Sequence, residues 1–277
     1  MRINTNVSSL QAQEAATQND KNISSSLEKL STGLKINKAS DDAAGLSIAD
    51  KLRTQASGLT QGVSNGNSAT AMLQIADKSM AEQSNLVDTI KTKLIQAATA
   101  TTSSAGMEAI SKDIDKLLTQ IDNIAKDTNY NGMQLISNTT ADGTAGTKVF
   151  QMGDTTTKTI TLDDSITANV KAMDISAAHS IGTHDQARDM LSKVDLALTT
   201  LNKMRSSVGS TQNQVESSVR SLQTAVTNLK AAESVIRDVD YASETANFNK
   251  QNIISQAGTY AISQANQVQQ GVTKLLQ

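Results

Sequence analysis

Residues 187 to 236 read ARDMLSKVDLALTTLNKMRSSVGSTQNQVESSVRSLQTAVTNLKAAESVI. An apolar stripe runs through this stretch from Ala187 by way of Leu191, Val194, Leu198, Leu201, Arg205, Val208, Gln212, Val215, Val219, Leu222, Val226 and Leu229 to Ile236. Steps of three and four residues are the signature of one helical face, and the run is unbroken by proline. About 50 residues at 1.5 Å each make a helix of roughly 75 Å. A compact domain needs no such element, so the expected fold is mainly α: an elongated, coiled-coil-like helical bundle.

Two further stripes support that reading. Leu73, Ala76, Met80, Gln83, Val87, Ile90, Leu94 and Ala97 share one face. The same phase runs backward through Ala69, Gly66, Gly62, Leu59, Gln55, Leu52, Ile48 and Gly45. That path crosses "SNGNS", where a loop at Asn65–Gly66 is the competing interpretation. Each interior glycine costs a helix on the order of 1 kcal/mol relative to alanine, so packing must offset it. After "TTSSAG", a suitable turn, Met107, Ile110, Ile114, Leu117, Ile121, Ile124 and Thr128 begin another helix that is expected to fold back on the first.

Composition agrees with aliphatic seams. Of 277 residues only 2% are aromatic, and there is no Trp, Cys or Pro. Compact enzyme cores usually draw on bulky aromatics, which bury the most area per residue. A net charge of −2 with both signs interspersed gives no basic stripe, so neither nucleic acid nor a membrane surface is expected as partner. Residues 1 to 20 carry no apolar secretory core, and no stretch approaches the roughly 20 apolar residues of a spanning helix. A soluble chain without a general secretory signal is the expectation. Disulfides and thiolate zinc sites are excluded by the missing cysteine.

Residues 138–185 change character, with clustered Thr, Gly and Asp. Short strands near Lys148 to Met152 and Thr157 to Leu162, joined through "GDTT", read as a β-hairpin in a polar, exposed segment. Both ends carry stripes of their own: Ile3, Val7 and Leu10, then Ile23, Leu27, Leu30 and Leu34; and Ile254, Gly258, Ala261, Ala265, Val268, Val272 and Leu275. An amphipathic helix alone in water is marginal, so the termini need each other or another copy of the chain.

Candidate chemistry is sparse. Asp41 and Asp42 in "INKASDDAAG" stand like the start of a metal or acid/base site, but neighbours on a helix point about 100° apart and do not converge. Ser40 as N-cap with two acids in the first turn, where the helix dipole favours them, is the better interpretation. His179 and His184 are the only histidines, with no zincin pattern around them. No G-x-S-x-G elbow, P-loop or dinucleotide glycine pattern occurs. Met80 and Met107 lie on stripes and read as core rather than as a binding groove. No cofactor, metal or catalytic residue is expected.

Longer matches are more specific. "INTNVSSL" and "LEKLSTGLKINKASDDAAGLSIADKLR" resemble the amino-terminal signature of bacterial flagellin, and "DNIAKDTNYNGMQLI" its segment after the second helix. "VIRDVDYASETANFNKQNIISQAGTYAISQANQVQQGVTKLLQ" resembles the carboxyl-terminal signature. These cover most of residues 1–137 and 186–277. The resemblance implies a structural subunit that polymerises into the flagellar filament for motility. It implies a filament-core domain at 1–41 and 237–277, with the terminal helices paired as a two-helix coiled coil. A rod domain would then be built from helices at 42–137, the hairpin segment at 138–185 and the long helix at 186–236, as in a minimal flagellin without outer domains.

The implied partners are further copies of flagellin, the flagellar type III export apparatus, an export chaperone, and the filament cap and hook-junction proteins. The implied location is the extracellular filament. The chain would leave the cell unfolded and order its termini on assembly, since neither stripe can be buried alone. One departure stands out. Where many flagellins carry a Q-R-[IV]-R-E-L type patch recognised by the animal innate-immune receptor, this chain has "DTIKTKL". Thr89 stands in place of an arginine, Lys93 in place of an apolar residue, and Asp113 keeps the acidic character of the partner helix, so weak recognition is expected.

The nearest rival is a hook-filament junction protein, which shares flagellin-like termini; the strength of both signatures favours flagellin. A helical signalling rod would need an anchor or a sensory module. An enzymatic insert would need more room and a motif within 138–185.

Overall fold

The computed structural model describes residues 5–137, 148–162, 166–176 and 181–275, without the side chains of residues 269 and 272–275. Among them are five helices, α1 (Val7–Thr32), α2 (Ala43–Ala97), α3 (Ser104–Asp127), α4 (His184–Arg237) and α5 (Tyr241–Leu275). Four short strands complete the elements: β1 (Asn129–Tyr130), β2 (Met133–Gln134), β3 (Lys148–Gln151) and β4 (Thr159–Leu162). The fold is mainly α, as the stripes require. With 55 and 54 residues, α2 and α4 are each roughly 80 Å long.

Helix starts are fixed by side chains that satisfy otherwise orphaned N–H groups. Asn6 accepts from Ser9 N–H and Ser103 from Gly106 N–H. α4 opens with a capping box: Thr183 Oγ1 accepts from Gln186 N–H at 3.3 Å, while Gln186 Oε1 accepts from Thr183 N–H at 3.1 Å. α2 crosses Asn65–Gly66 without a break, so the loop alternative is wrong.

The chain divides into two compact units, Met1–Ala56 with Thr227–Gln277, and Ser57–Val226. The second unit holds two apolar cores. One gathers Leu73, Met80, Leu135, Ile136, Ile160, Leu162, Leu201 and Val208 with their neighbours. The other gathers Val87, Ile90, Leu94, Ile114, Leu118, Ile121, Ile175 and Val194 with theirs. Burying each large aliphatic contributes about 1.5–3 kcal/mol. Gln83, fully buried on α2, donates from Nε2 to the carbonyls of Ile121 (3.0 Å) and Ala168 (2.8 Å), while its Oε1 has no partner.

The seam of α4 differs in detail from the sequence stripe. The buried residues are Ala187, Met190, Val194, Ala197, Leu201, Met204, Val208, Thr211, Val215 and Val219, alternating steps of three and four as far as Val215 and then stepping by four again. Leu191 and Leu198 flank the seam half-buried, and Arg205 and Gln212 lie beside it. Alternate seam positions lie one residue before the bulkier neighbours Leu198, Arg205 and Gln212. A seven-residue repeat is the period of left-handed supercoiling. Likewise α3 buries Leu118 and Ala125 where Leu117 and Ile124 were expected, and α2 buries Ala49 and Ala56 where Ile48 and Gln55 were expected.

The hairpin β3–β4 forms in antiparallel register, Lys148 opposite Leu162 and Gln151 opposite Thr159. It is shorter than expected by a residue or two at the turn side. The segment around it is not simply exposed: Met152, Ile160, Leu162, Ile166, Ala168, Val170, Met173, Ile175 and Ile181 are buried. Its Thr and Asp residues conceal an alternation of apolar side chains that roofs both cores. His179 lies outside the described residues, and His184 opens α4.

Glycine explains how the hairpin lies on α2. A methyl at Gly62 would stand 2.8 Å from the carbonyl carbon of Met152 and closer to its oxygen. One at Gly58 would stand 3.2 Å from Asp154 Cβ, and one at Gly66 2.7 Å from Met152 Cε. Asn65 Nδ2 donates to the carbonyl of Gln151 at 3.0 Å. The glycines cost helix propensity and make room for this backbone contact.

Candidate assembly surface

In the first unit α1 packs along α5. The residues of α1 that lose most solvent recur at 9, 12, 16, 19, 23, 26 and 30: Ser9, Ala12, Ala16, Asn19, Ile23, Ser26 and Leu30. On α5 they are Glu244, Phe248, Gln251, Ser255, Gly258, Ile262 and Ala265. Both sets keep the alternation of three and four, so the pair is coiled-coil-like, yet most side chains in the seam are small or polar. Two long-range hydrogen bonds fix its register: Asn19 Nδ2 to the carbonyl of Gln251 at 2.9 Å, and Asn6 Nδ2 to the carbonyl of Ala265 at 3.1 Å.

Apart from Ile23, Leu30, Phe248 and Ile262, the large apolar residues lie elsewhere. Val7, Leu10 and Leu27 on α1 are more than half exposed, as are Ile253, Tyr260 and Val268 on α5; Ile254 and Ala261 are exposed as well. Ile23, Leu30 and Leu34 are half-buried. Ile3 lies outside the described residues, as do the side chains of Val272 and Leu275. The stripes expected at the termini therefore divide: Ile23, Leu30, Gly258 and Ala265 lie in the seam between α1 and α5, while Val7, Leu10, Leu27, Ile254, Ala261 and Val268 stay exposed. At about 100° per residue, Ile253, Ile254, Ala257, Tyr260, Ala261 and Val268 fall within an arc of about 120° on α5, turned away from the seam. Ile36, Ala49 and Ala56 are the buried apolar residues of this unit among those described. The unit thus carries a contiguous uncovered apolar face and little core of its own.

The linkers between helices are tied to each other. Gly33, with φ of 75°, ends α1 in the left-handed conformation. Beyond it Lys35 N–H donates to the carbonyl of Arg237 at 2.6 Å and Val239 N–H to that of Gly33 at 3.0 Å, so Leu34 and Asp238 form one antiparallel bridge. Arg237 Nη1 reaches Asp50 at 3.7 Å, and Ser234 Oγ donates to Asp238 at 2.6 Å.

Asp41 and Asp42 do separate jobs here. Asp41 Oδ2 accepts from the N–H groups of Lys38 and Asn37, both at 3.0 Å, and these bonds hold its carboxyl below the usual carboxylate range. Asp42 Oδ1 accepts from Gly45 N–H at 2.9 Å and Ala44 N–H at 3.1 Å, so Asp42 is the cap of α2. Ser40, expected as the cap, lies exposed in the turn two residues earlier. Asp240 repeats the arrangement at α5, accepting from Ala242 and Ser243 N–H groups. Its "DYAS" resembles no standard capping box, which is why the sequence alone did not single it out. Among the described residues no cluster of His, Cys, Asp and Glu could hold a metal ion, and no helix is long and apolar enough to cross a membrane.

At the positions tied to receptor recognition, Thr89 is exposed and its hydroxyl donates to the carbonyl of Asn85 at 2.9 Å. Lys93 Nζ pairs with Asp113 at 3.1 Å.

Comparison with known proteins decides what this architecture belongs to. The model of the bacterial flagellin N-terminal helical region matches residues 3–141, and that of the C-terminal helical region matches residues 191–276. The chain belongs to the bacterial flagellin family. It is 33% identical to a flagellin of Bacillus subtilis over the full length of both chains, and 32% identical to the flagellar filament 33 kDa core protein of Treponema phagedenis, again over both in full. Against flagellin B of Helicobacter pylori identity rises to 47%, over 55% of this chain and 29% of that one. The crystal structure of Bacillus cereus flagellin covers 61% of this chain and 94% of its own at a TM-score of 0.50 and 24% identity, a likeness of fold. A putative flagellar hook-associated protein of Vibrio parahaemolyticus reaches a TM-score of 0.59 over 71% of this chain and 99% of its own at 12% identity, also a likeness of fold alone. Full-length identity thus lies with flagellins, and the hook-junction alternative is the less supported. Flagellin is a structural protein family, which agrees with the absence of any catalytic motif from the sequence.

Proposed function

We propose that this chain polymerises with copies of itself into the extracellular filament of a bacterial flagellum, using the apolar faces of α1 and α5 as its principal contacts. One observation carries the reading: the first unit pairs its helices mainly through small and polar residues and leaves Val7, Leu10, Leu27, Ile253, Ile254, Tyr260 and Val268 exposed. Isolated, that surface is a liability; repeated as a heterologous contact it generates an open helical tube. Residues 1–41 and 237–277 form the filament core in this reading, and residues 42–236 the rod. With little apolar burial to oppose chain entropy, the terminal helices order fully only on a growing filament.

Export through the flagellar type III apparatus, an export chaperone for the unassembled chain, and contacts with the filament cap and hook-junction proteins belong to the same reading, supported by the family. Recognition by the innate-immune receptor is weak, because Thr89 offers no cation and Lys93 is engaged by Asp113. A cell reporter assay showing full potency for the purified monomer would sink that part.

Polymerisation of purified protein, followed by electron microscopy, tests the main claim. Wild type forms filaments; a chain lacking residues 237–277 does not, and neither does Ile254→Asp or Val268→Asp, although both retain the wild-type urea transition of the second unit. Normal filaments from the truncated chain overturn the mechanism.

A further inference from the structure

The chain contains two Asn-Gly pairs, Asn65-Gly66 and Asn131-Gly132, in opposite surroundings. In such a pair the backbone nitrogen of glycine can attack the asparagine side-chain carbonyl, because no side chain on the following residue obstructs it. The reaction needs an Asn side chain free to rotate and a glycine N–H not held in a ladder.

Asn65 meets neither condition. It lies inside α2, its Nδ2 donates to Gln151, and Gly66 is buried with its N–H in the helix. Asn131-Gly132 is the two-residue turn between β1 and β2, with φ of 51° and 80°, the values of a type I′ turn. Both residues are exposed, a methyl on Gly132 would meet nothing within 4 Å, and the Asn131 side chain makes no hydrogen bond to the described residues.

We propose that Asn131 is a site of spontaneous covalent modification: deamidation through a succinimide, with conversion of the turn to isoaspartate. Gly132 N forms a bond to Asn131 Cγ, the Cγ–Nδ2 bond breaks, and ammonia leaves with the proton released from Gly132 N. Water then opens the imide at either carbonyl, giving aspartate or isoaspartate. The net change is asparagine plus water to acid plus ammonia, without oxidant or enzyme. Isoaspartate inserts a methylene into the main chain and adds a negative charge. A two-residue turn cannot absorb that extra atom, so the pairing of Tyr130 with Met133 and of Asn129 with Gln134 is lost. The adjoining Leu135 and Ile136 are core residues, so modification loosens that edge of the first core.

The test is incubation of the purified full-length protein at mildly alkaline pH, with peptide mapping by mass spectrometry at intervals and an isoaspartate-specific methyltransferase as second readout. Asn131 is expected to deamidate at least about a hundredfold faster than Asn65, because the latter must wait for local opening of a packed helix. In urea the two rates converge. Comparable rates in the folded protein, or a difference that persists undiminished in urea, overturn the proposal. Asn131→Asp supplies the charge without the extra methylene, so it is expected to keep the β1–β2 pairing by NMR; loss of that pairing in this variant also overturns the backbone argument.

Discussion

Replacing Gly62 by alanine tests the tightest contact in the second unit. In an exposed helix this change stabilises by about 1 kcal/mol, from helix propensity alone. Here the new methyl would stand 2.8 Å from the Met152 carbonyl carbon and closer to its oxygen, where carbon contacts are comfortable at about 3.5–4.0 Å. The obstructing atoms are backbone, so no rotamer change relieves them, and the hairpin tip must retreat on the order of 1 Å. Overpacking of this kind costs about 1–3 kcal/mol. Retreat also stretches the Asn65 to Gln151 hydrogen bond, now 3.0 Å, worth about 0.5–1.5 kcal/mol. With the propensity gain subtracted, Gly62→Ala is expected to destabilise by about 1–3 kcal/mol. Gly209 in α4 is the internal control: a methyl there meets nothing within 4 Å, so Gly209→Ala should stabilise by about 1 kcal/mol. Urea denaturation followed by circular dichroism measures both, as opposite shifts in midpoint. If Gly62→Ala proves as stabilising as Gly209→Ala, the docking of the hairpin on α2 is wrong.

Three further outcomes are expected. Asp42→Ala removes a cap and costs about 1 kcal/mol, whereas Ser40→Ala stays within about 0.5 kcal/mol; equal effects in thermal unfolding would restore Ser40 as the cap. The Asp41 carboxyl titrates below its unfolded value, so its bonds to Lys38 and Asn37 are complete above the ordinary aspartate range and are lost as pH falls through the lowered value. NMR amide shifts of Asn37 and Lys38 should move together in that acid window, and movement near neutrality contradicts the assignment. Leu34→Cys with Asp238→Cys, opposite each other at a non-hydrogen-bonded antiparallel position, should cross-link under mild oxidation, because such pairs hold Cα atoms about 4.5 Å apart. Absence of a mobility shift on a non-reducing gel counts against the bridge.

Helices were the legible part of this sequence, because their signal is periodic and repeats over many turns. The heptad phase was less legible: a stripe read by bulk chooses Leu191 and Leu198, whereas the seam uses the smaller or more pliable Met190 and Ala197, which let α4 approach its neighbours. Glycines 62 and 66 announced a cost without announcing its cause, since Met152, which packs on both, lies about 90 residues away. The hairpin at Asn131-Gly132 carried a usable signal, two central residues suited to positive φ, but its strands are too short to alternate. Most instructive is the terminal pair. Hydrophobic stripes at both ends call for a partner, either each other or another copy of the chain, because apolar periodicity reports only that a face will be covered and not by which chain. Ser9, Ala12, Ala16 and Ser255 complete the seam with no hydrophobic signal of their own, although Gly258 and Ala265 beside them belong to the C-terminal stripe.

The bridge between Leu34 and Asp238 sets the topology of folding. Its two partners are about 200 residues apart, and closing a loop of that length from an open chain is entropically unfavourable and slow. α2 and α4 share both cores of the second unit, so their packing shortens the effective loop before the bridge forms. Packing within the second unit therefore lowers the entropy cost of tying Leu34 to Asp238. No residue of α1 or α5 belongs to either core, so fraying of the terminal helices leaves the contacts inside both cores in place.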